Sequence, residues 1–258
     1  MDNTLKQNPT LIRKLKTFYK RLHGKQQLEK KITIDMDKDF FPIYEQCKPY
    51  TMTSIERMYA LYQSVKYVIQ QQIEGDFVEC GVWKGGSVML IAATLKQLNH
   101  FDRKIYLYDT FEGMSNPTEQ DICYTSESAM PKFLKLTNHK TQICAWANCP
   151  LDEVRNNLAL IEYPQEQFLF VKGKVEDTIP QTIPDHICLL RLDTDWYEST
   201  YHELLHLYPL LTTTGVLIVD DYGHWFGSRK ATDEYFTQHK ISLLLIRVDY
   251  SGRLAIKV

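Results

Sequence analysis

The sequence predicts an α/β domain: a mostly parallel β-sheet with helices on both faces, closed by a C-terminal antiparallel hairpin. Three observations carry this. Short apolar, strand-like runs alternate along the chain with segments of helical period, the pattern of a parallel sheet built from strand–helix–strand units. A glycine-rich turn, E-C-G-V-W-K-G-G-S (79–87), follows the first such run directly. Two strand-like runs at the end, I-S-L-L-L-I-R-V and R-L-A-I-K-V, are separated only by D-Y-S-G, too short a link for parallel neighbours. A chain of 258 residues suits one such domain, placed at 51–258, after a basic helical extension over 1–50.

Each element follows from its own residues. Within 51–73, Ile55, Met58, Leu61, Tyr62, Val65 and Ile69 recur at helical spacing, and Thr53 or Ser54 suits the N-cap. D-F-V-E-C-G (76–81) is a short buried strand, and the helix after it opens at glycine. K-I-Y-L-Y-D (104–109) is the second strand. Residues 110–150 show no clean period and form a long excursion punctuated by Gly113, Pro117, Pro131 and Pro150. Regularity returns with a helix over 151–160 and the strand F-L-F-V-K (168–172). I-C-L-L-R-L-D (187–193), a helix over 199–211, G-V-L-I-V-D-D (215–221) and a helix over 231–239 continue the alternation.

Composition removes several classes of function. The net charge is −2, so the protein as a whole is not built to bind nucleic acid. No apolar run approaches the roughly 18 residues of a membrane span, and M-D-N-T-L-K-Q-N-P-T lacks the apolar core of a secretory signal, so a cytoplasmic location is expected. The six cysteines form no C-x-x-C pair and none has a histidine at zinc spacing, which argues against a disulfide framework or zinc site. Residues 1–31 are different: nine Lys or Arg face only Asp2 and Glu29. There Leu11, Ile12, Leu15, Phe18, Tyr19 and Leu22 lie opposite the basic residues at helical spacing. Two readings stay open, a peripheral contact with an anionic membrane and a helix packed on the domain or on a second subunit.

In a doubly wound sheet, ligands sit beyond the carboxyl ends of the strands. Four such ends carry conspicuous residues. Gly81, Gly85 and Gly86 let the backbone turn sharply near a ligand, but the spacing is neither the G-x-G-x-x-G of a dinucleotide fingerprint nor a G-K-[ST] phosphate loop. Asp109 ends the second strand, where an acid suits two ribose hydroxyls; the plainer reading is an N-cap. Asp193 and the pair Asp220–Asp221 end strands too apolar to leave carboxylates unpaired. If those strands are adjacent, the three acids converge, and an all-oxygen set calls for Mg²⁺, Mn²⁺ or Ca²⁺ rather than zinc. Asp195 either reaches that cation or begins the turn into the next helix. A glycosyltransferase would use Asp193 and Asp195 as a DxD site, yet it would need neither the glycine-rich turn with Asp109 nor Asp220–Asp221. A DxD phosphatase would carry its motif early. A non-catalytic nucleoside-binding module would not need all three acids.

These motifs, with T-M-T-S-I-E-R-M, Y-D-T-F-E-G-M, V-K-G-K-V-E-D-T-I-P, L-R-L-D-T-D-W-Y-E-S-T, L-Y-P-L-L and G-V-L-I-V-D-D-Y-G in one order, resemble the metal-dependent sugar O-methyltransferases typified by macrocin O-methyltransferase. The resemblance implies a Rossmann-like class I methyltransferase fold with a seven-stranded sheet, S-adenosylmethionine as methyl donor, and self-association. It implies that Glu79, Gly81, Val82, Trp83, Gly85 and Ser87 surround the methionine part. Asp109 would hold the ribose, and Phe111, Gly173 and Val175 would border the adenine. Asp193, Asp220 and Asp221 would ligate Mg²⁺ or another divalent ion, with Asp193 also the general base. The acceptor implied is a small molecule or glycan. The segments before residue 40 and over 121–149, with Tyr124, His139 and Trp146, match no part of the pattern.

Three further features carry two readings each. His224 either contacts substrate or is merely exposed; His202 and His206 share a helix face at i, i+4 and either bind a metal or face solvent; Arg229 either clamps an anionic acceptor or caps nearby carbonyls.

Overall fold

The structure, a computed structural model, describes residues 33–258. The basic helix expected over 11–22 therefore lies outside the described residues. Of the N-terminal unit Met1–Asp39, the described residues hold only turns and bends. The second unit, Phe40–Val258, carries the sheet. Residues 40–50, counted with the extension in the sequence reading, form helix α1 (Phe40–Cys47) and a short 3₁₀ turn; the fully buried Phe40 ring meets Tyr59 and Tyr62 of the next helix.

Helix α2 (Ile55–Gln70) is capped by Ser54, whose hydroxyl accepts from the Arg57 N–H at 3.2 Å. It buries Met58, Leu61, Tyr62, Val65 and Ile69 of the stripe its spacing predicts, and Val68 besides, while Ile55 is only half-buried. Then come β1 (Asp76–Cys80), α3 (Gly86–Gln97) and β2 (Ile105–Asp109). Within the excursion lies one short helix, α4 (Met130–Leu136), which the irregular sequence does not signal. α5 (Leu151–Ala159), β3 (Phe168–Lys172), α6 (Val175–Thr178), β4 (Ile187–Leu192), α7 (Tyr197–Leu207), β5 (Leu211–Val219), α8 (Phe226–Gln238), β6 (Ile246–Arg247) and β7 (Arg253–Ile256) follow.

The seven strands are ordered β3-β2-β1-β4-β5-β7-β6. The first five pair in parallel, and β7 runs antiparallel to both β5 and β6. Every residue of β4 is buried, as its position at the centre requires.

Several boundaries differ from the sequence expectations: α7 ends at Leu207 rather than 211, and β5 starts at Leu211 rather than 215. Two further differences have clear physical reasons. α8 begins at Phe226, five residues before 231, through F-G-S-R-K. Gly227 weakens the helical signal there, but a side chain on it would lie 2.1 Å from Asp121 Oδ1, so close approach of that carboxylate selects glycine. At the C-terminus the run over 241–248 gives only the two-residue β6. Ile241, Leu243 and Leu245 still turn inward onto the core without joining the ladder.

Candidate active site

Because β1, β4 and β5 are adjacent and parallel, their carboxyl ends bring Glu79, Asp193 and Asp220–Asp221 to one edge of the sheet. The strand order switches direction at β1, with β2 on one side and β4 on the other, which opens a crevice. A cavity of about 560 Å³ fills it, within the range of small-molecule sites. It gathers Glu79, Gly81, Val82, Trp83, Ser87, Asp109, Asp193, Asp220 and Asp221. A recess of about 60 Å³ shares Gly81, Asp109 and Asp193 with it and is lined by Gly173 and Val175. Gly85 and Phe111 line neither. Gly85, at φ 88°, begins α3 and faces Val154 and Leu158, while Phe111 is buried beside Phe170.

The glycine-rich turn is held from two sides. At Gly81, φ is 85° and a Cβ would stand 2.0 Å from the Asp193 carbonyl oxygen, so only glycine lets the turn and the end of β4 touch. Asp109 pins the other side. Its Oδ2 accepts from the N–H groups of Val82 (2.7 Å) and Trp83 (3.0 Å), and its Oδ1 from Phe111 (2.7 Å). Burial raises this carboxyl above its ordinary range, and the three backbone donors oppose the rise. No helix starts within 110–129, so the N-cap reading has no helix to cap. Oδ1 retains acceptor capacity toward a ligand.

Behind the acids stands Arg191, which the sequence reading passed over. It lies in β4 opposite Glu79 of β1, and both side chains are buried. Its guanidinium reaches Glu79 Oε1 at 2.7 Å, Asp193 Oδ2 at 2.8 Å and Asp220 Oδ1 at 2.8 Å. Desolvation works against its charge, but Asp193, Asp220 and Glu79 outweigh it, so Arg191 stays protonated. A second guanidinium comes from α2: Arg57 pairs with Asp220 Oδ2 and with Asp249 Oδ2, the latter at 3.0 Å. Asp249 sits in the D-Y-S-G turn, accepts from the N–H groups of Ser251 and Gly252, and receives the Ser54 hydroxyl at 2.8 Å. A signal for Arg191 exists in the sequence: an arginine inside an apolar central strand must be paired, and only neighbouring strand ends offer carboxylates.

Asp193, Asp220 and Asp221 each offer an oxygen within 4.8 Å of the others. Two guanidiniums do not balance the carboxylates gathered here: Glu79, Asp193, Asp195, Asp220 and Asp221. Burial drives Asp193 well above the ordinary carboxylate range; Arg191 pulls it down, and Asp220 and Asp221 push it further up. Asp221 rises for the same reason, through burial, Asp195 and Asp220. Neighbouring carboxylates short of counter-charge, all oxygen donors within 4.8 Å of one another, fit a hard divalent cation. Asp195 does two things at once. It takes a left-handed φ of 67° in the turn before α7, and it lines the cavity, where burial beside Asp193 lifts it to about 7.

Glu79 Oε2 is buried without a hydrogen-bond partner, although Oε1 is paired. Burial pushes this carboxyl up to about 7. An acceptor left open on a cavity wall suits a donor from a ligand, such as the ammonium of an amino acid moiety.

The outer wall is aromatic. His224 Nδ1 meets the Tyr250 hydroxyl at 3.1 Å, Tyr124 packs against both rings, and Trp146, Trp196 and Trp225 form a contiguous cluster. Burial and the positive charges of Arg57 and Lys132 lower the His224 pKa, so its imidazole is neutral at neutral pH. His224 therefore lines the cavity, whereas Arg229 donates to the Tyr222 carbonyl at 3.2 Å, the capping role. His202 Nε2 is engaged by the Ile179 carbonyl, and no metal-like group includes His202 or His206 among the described residues. All six cysteines are free and buried.

Residues 3–255 match the macrocin-O-methyltransferase (TylF) family. The chain is 32% identical over 203 residues to demethyldecarbamoylnovobiocin O-methyltransferase of Streptomyces niveus, covering 79% of this chain and 74% of that one. It is 30% identical, over 79% of this chain and 74% of the relative, to the 8-demethyl-8-(2,3-dimethoxy-alpha-L-rhamnosyl)-tetracenomycin-C 4'-O-methyltransferase of Streptomyces olivaceus. The solved O-methyltransferase NovP superposes with a TM-score of 0.70 at 32% identity, covering 81% of this chain and 82% of its own. The chain thus belongs to the macrocin-O-methyltransferase family and is an S-adenosylmethionine-dependent O-methyltransferase.

Proposed function

We propose that the protein is a divalent-cation-dependent enzyme that methylates a hydroxyl of a sugar, on a glycosylated small molecule or a glycan. The observation that carries this is the convergence of Asp193, Asp220 and Asp221 in the cavity that also holds Glu79 and Asp109. One relative is named for methylating a rhamnosyl tetracenomycin, which supports a sugar acceptor.

Glu79 Oε2 would receive the donor's ammonium, the turn over 81–87 would enclose its methionine part, and Asp109 would accept from its ribose. Gly173 and Val175 would border the base in the smaller recess. Asp193, Asp220 and Asp221 would hold a divalent cation, most simply Mg²⁺, which would supply Lewis acidity toward an acceptor hydroxyl. Arg191 and Arg57 hold both oxygens of Asp220 in place. Asp193 takes the hydroxyl proton as the oxygen–methyl bond forms; the sulfur–methyl bond breaks with its electron pair to sulfur, leaving S-adenosylhomocysteine. Donor and acceptor in one cavity react as if intramolecular. A second reading assigns the proton to Asp195, which lines the same cavity and stands near the value a general base needs at neutrality.

The test is transfer of labelled methyl from S-adenosylmethionine to a panel of glycosides, with Mg²⁺ and with chelator. Transfer that needs the cation is expected; transfer undiminished by chelation would overturn the cation's role. Asp195→Asn tests the second reading: turnover kept in that variant would exclude Asp195 as the base, whereas Asp193→Asn loses turnover on either reading because Asp193 would also hold the cation.

A further inference from the structure

The cavity mouth contains a cation that the methyl-transfer chemistry does not use. Among the basic residues that line the cavity, Arg57 is committed to Asp220 and Asp249. The other is Lys132, on the short helix α4 of the excursion. It forms no ion pair or hydrogen bond among the described residues; it packs instead on an aromatic face, Nζ lying 3.6 Å from the centroid of the Trp146 ring. A lysine on an exposed helix ordinarily extends into water, because ordering its long side chain costs entropy. Here the ammonium is folded back over an indole that is itself wedged against Trp196 and Trp225, at 5.5 and 6.0 Å between centroids. A cation–π contact holds the charge in place without neutralising it, and the ammonium keeps donors facing the cavity.

Its surroundings favour an anionic ligand over a structural partner. Glu127 lines the same mouth but makes no ion pair with Lys132. Lys132 lines the same cavity as Tyr124, His224 and Asp221. The fixed positive charge therefore lies on the acceptor side of the site, within one cavity of the acids.

We propose that Lys132 is a specificity-determining residue of the acceptor subsite, and that the acceptor is a glycosyl unit carrying a phosphate or carboxylate near the hydroxyl to be methylated. This rests on the sugar methyl-transfer reading above. Trp146 serves as the platform that positions Lys132.

The test uses the full chain saturated with S-adenosylhomocysteine and supplied with equal Mg²⁺ throughout. UDP-glucose, methyl glucuronoside and neutral methyl glucoside are titrated by tryptophan fluorescence and calorimetry against wild type, Lys132→Gln and Lys132→Arg. Wild type is expected to bind one or both anionic probes at least about tenfold more tightly than the neutral one, the range of a charge-assisted hydrogen bond. Preference for UDP-glucose alone identifies a phosphate and preference for the glucuronoside alone a carboxylate. Lys132→Gln should lose the preference and Lys132→Arg keep most of it, with S-adenosylhomocysteine affinity unchanged in both. Equal binding of charged and neutral probes by wild type, binding of none of them, or an undiminished preference in Lys132→Gln would overturn the assignment. Failure of wild type to bind S-adenosylhomocysteine would instead overturn the methyl-transfer reading itself, and the subsite with it.

Discussion

Arg191 and Glu79 face each other in register across β4 and β1, joined at 2.7 Å, with 2% and 1% of their side chains exposed. The same guanidinium holds Asp193 and Asp220. One buried cation thus links the wall assigned to the methyl donor with the acids assigned to the metal and the base.

Arg191→Met should therefore do more than remove a contact. It leaves buried carboxylates without their counter-charge, a loss of about 3–5 kcal/mol for a broken buried pair. Chemical denaturation should show that drop, and Mg²⁺ should recover part of it if the cation binds these acids. A variant as stable as wild type would show that the carboxylates are compensated elsewhere.

Glu79 gives a pH dependence with a definite sign. Folded Glu79 keeps its proton up to about pH 7, against an ordinary value of 4.5. The folded state therefore binds more protons in that window, and the contribution of this group to stability falls as pH rises from 4.5 through 7, then levels off. The slope reaches up to about 1.4 kcal/mol per pH unit. Denaturation of wild type and Glu79→Gln across pH 5–8 should differ by that slope, because glutamine does not titrate. Affinity for S-adenosylhomocysteine should tighten in wild type as Glu79 ionises, and this rise should vanish in Glu79→Gln. Parallel profiles would remove Glu79 from the donor site.

Asp193→Asn should lower turnover by about 10²–10⁴-fold, the worth of a positioned general base. Donor affinity should stay nearly unchanged, because the Asp193 carboxylate is grouped with Asp220 and Asp221 rather than with Asp109. Single-turnover kinetics with saturating donor would show it; retention of most activity would shift the base to Asp195.

Gly81→Ala tests how closely the turn approaches β4. Its Cβ would be forced to within 2.0 Å of the Asp193 carbonyl oxygen at a left-handed φ. Overpacking of this kind costs about 1–3 kcal/mol. Donor affinity should fall together with stability, and calorimetry alongside thermal melts would register both.

Much of this architecture was legible because strand ends announce themselves. Alternating apolar runs and helical stripes predict the parallel sheet, and carboxylates after L-L-R-L and V-L-I-V predict the acid cluster. What stayed hidden depends on pairing across distant segments. Arg57 finds Asp249 far along the chain, and nothing in either local sequence names the other. The excursion lacks a period because bridges such as Cys123↔Trp225 and Thr137↔Cys144 fix it, together with the fully buried Asp121, which accepts from the Tyr197 N–H at the start of α7. Lys132 and Trp146 meet within this bridged excursion, where no local pattern pairs them. By sequence Asp195 suits either a turn former or a site residue, and the structure gives it both positions.

The most direct test is calorimetric titration of the purified protein with S-adenosylhomocysteine, in Mg²⁺ and then in excess chelator. Saturable micromolar binding in wild type, weakened in Glu79→Gln, is the result this account predicts. No binding in either condition would contradict it, since the cavity beside Glu79, Gly81 and Asp109 would then not be the donor site.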